Sequence, residues 1–221
     1  MKTGKSTGRV IGGLLLVQLV GMTVAFASLQ AGVARDYLGV AAGMETTVRT
    51  AVILLFINAA ITLGIAIVAF PVFREYSLRT AIWLLAMSTI WVVLQSVDNA
   101  HILSMLSLSE RYAEAAGANA DLYNVLGTQV RSTRVFVHYT TLLVIDVWFG
   151  LFYGALLVFR LVPRWLGALG LLAVALHLIG IPLSMFIGYP TILPLAYGLG
   201  ISYLLFGGWL VVTGFGEASE K

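Results

Sequence analysis

The sequence contains no cysteine. That excludes disulfides, thiolate metal ligands, iron–sulfur clusters, cysteine nucleophiles and a lipoprotein anchor at one stroke. Charge is scarce as well: Asp, Glu, Lys and Arg make up 10% of the 221 residues while 60% are hydrophobic. An average soluble domain is roughly a quarter charged and half apolar. Lysine is confined to positions 2, 5 and 221, and every arginine stands at or beyond the end of an apolar run. The formal charge of +3 is therefore spread over chain ends and loops instead of forming a basic face. Such a pattern speaks about membrane topology and gives no footprint for nucleic acid.

What is present is a series of long apolar runs. A helix needs about 20 such residues to cross a hydrocarbon core of about 30 Å. Runs of this length occupy 10–30, 50–71, 80–107, 134–159, 164–187 and 192–214. The expected fold class is thus all-α, a polytopic bundle of six transmembrane helices forming one domain. A closed β-barrel would need short alternating segments, and "AVILLFINAAITLGIAIVAF" has no such period. The first run follows Lys2, Lys5 and Arg9 and ends near "AFAS" like a secretory signal, but its length favours a retained first helix.

Placing the N-terminus in the cytoplasm puts Lys2, Lys5, Arg9, Arg74, Arg79, Arg160, Arg164 and Lys221 inside, against Arg35, Arg49, Arg111, Arg131 and Arg134 outside. The excess of inside positive charge predicts a bacterial inner-membrane protein with both termini cytoplasmic. Asp36, Glu45, Glu110, Glu114 and Asp121 are then all external. Short links at "PVFREYSLR" and "FRLVPRW" make neighbours antiparallel, with Pro71 and Pro163 punctuating the turns. Residues 108–131 form the long external connection, where Leu122, Leu126 and Val130 at helical spacing predict an amphipathic segment on the membrane surface. Gly167, Gly170 and Ala173, with Gly200 and Gly207 on the last span, predict a tight pair of C-terminal helices.

"VAFPVFREYS" closing the second span, "RLVPRWLGALGLL" opening the fifth and "WLVVTGF" closing the sixth resemble the bacterial membrane family known as domain of unknown function 4386. The resemblance covers nearly the whole chain and implies a six-helix membrane fold with no established activity. In that family's pattern the third span carries an acidic residue, matched approximately by Asp98, and the fourth begins near a His-Asp-Trp. His138 matches the histidine, while Tyr139 and Thr140 stand where the Asp and Trp would be.

The stretch "WVVLQSVDNAHILSML" places Gln95, Asp98, Asn99 and His101 inside the third span. At about 100° per residue, Ser88, Trp91, Gln95 and Asp98 share one face, flanked by Asn99 and His101. Arg134, His138, Thr141, Ile145 and Trp148 form a stripe on the fourth span, with Tyr139, Asp146 and Tyr153 a quarter-turn away. Gly170, Ala173, His177, Ile181 and Ser184 line the fifth. Estimated depths allow these groups to converge in a site opening outward. An ionised Asp in mid-span costs about 2.5–3.5 kcal/mol on insertion scales, so each acid needs a partner or a proton. Asp98 and Asp146 are expected to lack a permanent cation at their own depth, which leaves protonation, a histidinium, Arg134, or something bound.

Three functions fit. The first is proton-linked transport or sensing of a small molecule, with Gln95, Asp98, Asn99, His101, Arg134, His138, Asp146 and His177 as ligand or proton site. A second is a metal held by Asp98, His101 and His138, with His177 as a further candidate ligand, or a haem between His101 and His138. No cofactor is required by the sequence. The third is a structural or interaction subunit, alone or oligomeric, with the lipid bilayer as its certain partner. Ser88, Ser96, Ser104 and Ser184 lack a G-x-S-x-G context, and neither a phosphate loop nor H-E-x-x-H occurs, so nothing calls for an enzyme.

Overall fold

A computed structural model describes residues 2–115, 117–187 and 192–216. Its helices are α1 (Lys2–Leu29), α2 (Tyr37–Val40), α3 (Glu45–Tyr76), α4 (Leu78–Glu114), α5 (Ala120–Val158), α6 (Arg164–Pro182) and α7 (Ile192–Thr213). A 3₁₀ turn at Ala41–Met44 leads into α3, and a π-helical turn at Leu183–Ile187 continues α6. Six helices are long and apolar enough to cross a membrane, and the described residues include no strand. The protein is an all-α, multi-pass six-helix bundle. Lys221, counted above as a cytoplasmic charge, lies outside the described residues.

Several helices outrun their apolar runs. α4 has 37 residues and α5 has 39, where about 20 suffice to cross the hydrocarbon. The stretch 108–131 is consequently not a separate surface helix. It comprises the end of α4, a short turn and the opening turns of α5. Polar residues there keep helical backbone because nothing breaks it until Gly117 and Asn119, both at positive φ. Pro71 likewise fails to end the second span, since α3 continues to Tyr76. A proline in mid-helix forfeits one backbone hydrogen bond without forcing a stop when neighbours hold the next turn. The link that follows is Ser77 alone, whose Oγ accepts the Thr80 N–H at 3.2 Å and so caps α4. Pro163, by contrast, does punctuate: at φ −56° and ψ 140° it stands just before α6.

Packing groups the described residues into two units, each taken by itself. The first draws on 1–19, 61–91 and 142–221. Its core is aromatic: Trp148 stacks on Phe152 at 5.0 Å, and Tyr153 on Phe206 at 4.4 Å. Several buried polar groups find partners within it. Tyr203 donates to Gln18 Oε1 at 3.1 Å, Gln18 donates to Thr62, and Tyr153 shares a hydrogen bond of 3.0 Å with Ser202. Gly170 lies against Tyr153 and Phe206, and Gly198 faces Ala173, so α6 and α7 do pair closely. Gly207 serves a different contact. A side chain there would meet Leu16 and the Gly12 carbonyl of α1, while Gly200 faces open space.

α5 ends in a Schellman motif. Leu161 N–H reaches Leu156 O at 3.0 Å and Arg160 N–H reaches Leu157 O at 3.2 Å, with Arg160 at φ +56°. That position favours glycine, because a Cβ in the left-handed region costs about 1–2 kcal/mol. Arg160→Gly should therefore raise the thermal midpoint in detergent by a few degrees, and a fall would contradict this account.

The second unit draws on 20–60 and 92–141. Leu29, Tyr37, Val48, Leu55, Ile102, Met105 and Leu106 form its core. Ser109 secures the α2 turn, accepting the Ala42 N–H at 2.9 Å and donating to Leu38 O at 2.8 Å.

Candidate functional site

In the second unit Asp98 on α4 meets two residues of α5 spaced i, i+4. Arg134 grips it with both ends of the guanidinium, Nε to Oδ1 at 3.0 Å and Nη2 to Oδ2 at 3.2 Å. His138 Nδ1 lies 3.2 Å from the same Oδ2 and 3.5 Å from Arg134 Nη2. When that nitrogen carries its proton it donates to the carboxylate. Asp98 is 1% exposed and Arg134 9%. A bidentate, charge-assisted pair of this kind is the strongest way to hold a carboxylate out of water. The Phe26 ring covers His138 edge-on, with centroids 6.4 Å apart.

Arg134 thus corrects the expectation that Asp98 lacks a permanent cation. Position 134 marks the edge of the apolar run, but α5 extends beyond it as continuous helix, and a flexible arginine can bring its charge inward along its own stem.

Gln95 and Asn99 form a separate chain beside this pair. Gln95 donates to Asn99 Oδ1 at 3.0 Å, and Asn99 donates to the Val52 carbonyl of α3 at 3.1 Å. Their role is to satisfy one another and a backbone oxygen. Nothing in the sequence pointed to Val52, because a main-chain acceptor leaves no compositional trace.

His101 is not brought to Asp98. It lies with Val92, Val93, Ser96, Val97, Ala100 and Ser104 along an apolar groove on α4. His101 is half-buried and borders this groove, about 60° around α4 from Asp98. Among the described residues no three His, Cys, Asp or Glu gather as a metal site. The set Asp98, His101 and His138 is accordingly not gathered to hold a metal among the described residues.

In the first unit Asp146 of α5 pairs with His177 of α6. His177 Nδ1 lies 2.8 and 2.9 Å from the two carboxylate oxygens, and the residues are 1% and 3% exposed. Asp146 and His177 thus belong to the first unit, and Asp98, Arg134 and His138 to the second. Close by in sequence, Trp148 is fully buried, and its Nε1 has no acceptor among the described residues.

The model of a family described as domain of unknown function (DUF4386) matches residues 10–214. The chain belongs to the DUF4386 family. No curated protein and no solved structure matches it. Membership of DUF4386 brings no activity with it, so chemistry for this family member must be argued from the two carboxylate groups. They differ in kind. The charge on Asp98 is met by a guanidinium that never loses its proton, whereas the only partner of Asp146 among the described residues is an imidazole.

Proposed function

We propose that this DUF4386 protein exchanges protons within the membrane at Asp146–His177 and couples that exchange to transport or sensing of a small molecule. The observation that carries this reading is the pairing of one buried carboxylate with one buried imidazole nitrogen, 2.8 Å apart. Such a pair is neutral overall whether the proton sits on nitrogen or oxygen, and it gains or loses a unit charge when a further proton binds or leaves. In a low-dielectric span that change is costly enough to drive a rearrangement. Imidazole is also the side chain that titrates near neutrality.

The Asp98 group supports a second, architectural role. Its carboxylate and guanidinium cancel, so it demands no guest and works as a clamp between α4 and α5.

The test uses the fact that the chain has three histidines. Nitrogen NMR of histidine-labelled protein in nanodiscs should show the His177 ring nitrogens changing their signals when Asp146 is replaced by Asn, and in that variant a proton-driven signal from a pH dye sealed inside proteoliposomes should vanish. His177 resonances that stay where they are, with an unchanged dye response in the variant, would remove the proposal.

The same reading places the protein in a bacterial inner membrane with both termini in the cytoplasm, on the strength of the arginine and lysine distribution. Because the chain has no cysteine, single labels are unambiguous. Thr7→Cys should resist a membrane-impermeant maleimide applied from outside intact spheroplasts, and Gly43→Cys should react with it. The reverse pattern would invert the topology.

A further inference from the structure

One stripe of α5 carries Gly127, Arg131, Arg134 and His138 at i, i+4, i+7 and i+11. Three of these are accounted for within the second unit. The Gly127 carbonyl accepts the Tyr37 hydroxyl at 3.3 Å, and Arg134 and His138 share Asp98. Arg131 is the exception. It takes part in none of the ion pairs among the described residues, and its Nε is sealed from solvent without an acceptor. Tyr37 is near enough to feel its charge. Of the acids in this unit, Asp98 is held by Arg134, Glu45 and Glu110 are engaged by Arg49 at 2.8 and 3.5 Å, and Asp36, Glu114 and Asp121 are exposed. The buried atom left without a partner beside the clamp therefore belongs to a cation, the opposite of what the buried acids led one to expect.

Level along the helix adds a second constraint. From Arg131 to Val158, at about 1.5 Å per residue, α5 spans about 40 Å, close to the thickness of a bilayer with its headgroups. Arg131 thus sits at a headgroup level, where phosphate oxygens are at hand. A guanidinium with its Nε pointing inward and no partner is suited to a tetrahedral oxyanion, which offers several acceptors to a planar fork.

We propose that Arg131, beside Tyr37 and the Asp98–Arg134 clamp, binds a phosphate group, from either a lipid headgroup or a free phosphate. The site is independent of proton exchange at Asp146–His177.

The experiment compares wild type, Arg131→Gln and Arg131→Lys in a phosphate-free maltoside detergent, in the same detergent with inorganic phosphate added, and in the same detergent with phosphatidylglycerol added. Equal thermal midpoints of wild type and Arg131→Gln in the plain detergent establish that the variant folds, as expected when an unpaired cation is removed. Should Arg131→Gln not fold, Arg131→Lys carries the comparison, and there the response must weaken several-fold. Stabilisation of wild type by phosphatidylglycerol, with that lipid retained in native mass spectra and lost at least several-fold from Arg131→Gln, assigns a lipid headgroup. A response to inorganic phosphate that the variant lacks assigns a free phosphate. A wild type indifferent to both, or a response the substitutions leave intact, overturns the proposal.

Discussion

Arg134→Gln should leave little folded protein in the membrane. The substitution keeps much of the side chain's length and removes its charge, stranding Asp98 at 1% exposure with only His138 in reach. Breaking a buried ion pair by deleting one partner typically costs about 3–5 kcal/mol, because the remaining charge stays desolvated. For a chain of this size that corresponds to a fall in thermal midpoint on the order of 10 °C. The diagnostic variant is the double one. Arg134→Gln with Asp98→Asn removes both charges and should recover most of the loss, so the recovery, read as thermal midpoint and monodisperse yield in detergent, measures the coupling. If the double variant is as defective as Arg134→Gln alone, Arg134 holds the fold through its packing and the clamp account fails.

Gly12→Leu should be comparably damaging for a steric reason. A Cβ on Gly12 would stand 2.7 Å from the Val211 nitrogen and 2.8 Å from the Gly207 carbonyl oxygen. These are backbone atoms of α7, which cannot rotate aside as a side chain would, so α1 must back away along its length. Overpacking costs about 1–3 kcal/mol where side chains can adjust, and here they cannot. In a membrane the penalty is aggravated because lipid-embedded helices are held together by close packing and not by the expulsion of water. Gly13→Leu is the matched control, since a Cβ there meets nothing within 4 Å. It should shift stability by no more than about 0.5 kcal/mol. Equal midpoints for the two variants in the same detergent would show that the α1–α7 approach is not tight.

How much of this was legible beforehand depends on what each residue answers to. Hydropathy senses the hydrocarbon, and it placed all six spans. It is blind beyond the headgroups, which is why α4 and α5 run on through "SERYAE" and "ADLYNV" as helix and why 108–131 was misread as a linker carrying its own helix. Gly207 was assigned to the wrong neighbour because a small residue announces only that something comes close, without naming it. The polar members Gln95, Asp98, Asn99, Asp146 and His177 stood out as costly in an apolar run, and every one of them is buried. Gln18 and Thr62, equally isolated in apolar runs, carried the same signal and were overlooked.

By itself, then, the sequence determined the all-α class, the six crossings and the need for each buried acid to be neutralised, since these follow from transfer free energies that a residue carries wherever it sits. Which group does the neutralising was decided by tertiary structure alone. Arg134 reaches Asp98, His177 takes Asp146 and His101 borders a groove on α4, because partner choice depends on the rotation and register of one helix against another. A periodic pattern constrains the face of its own helix and says nothing about the face opposite.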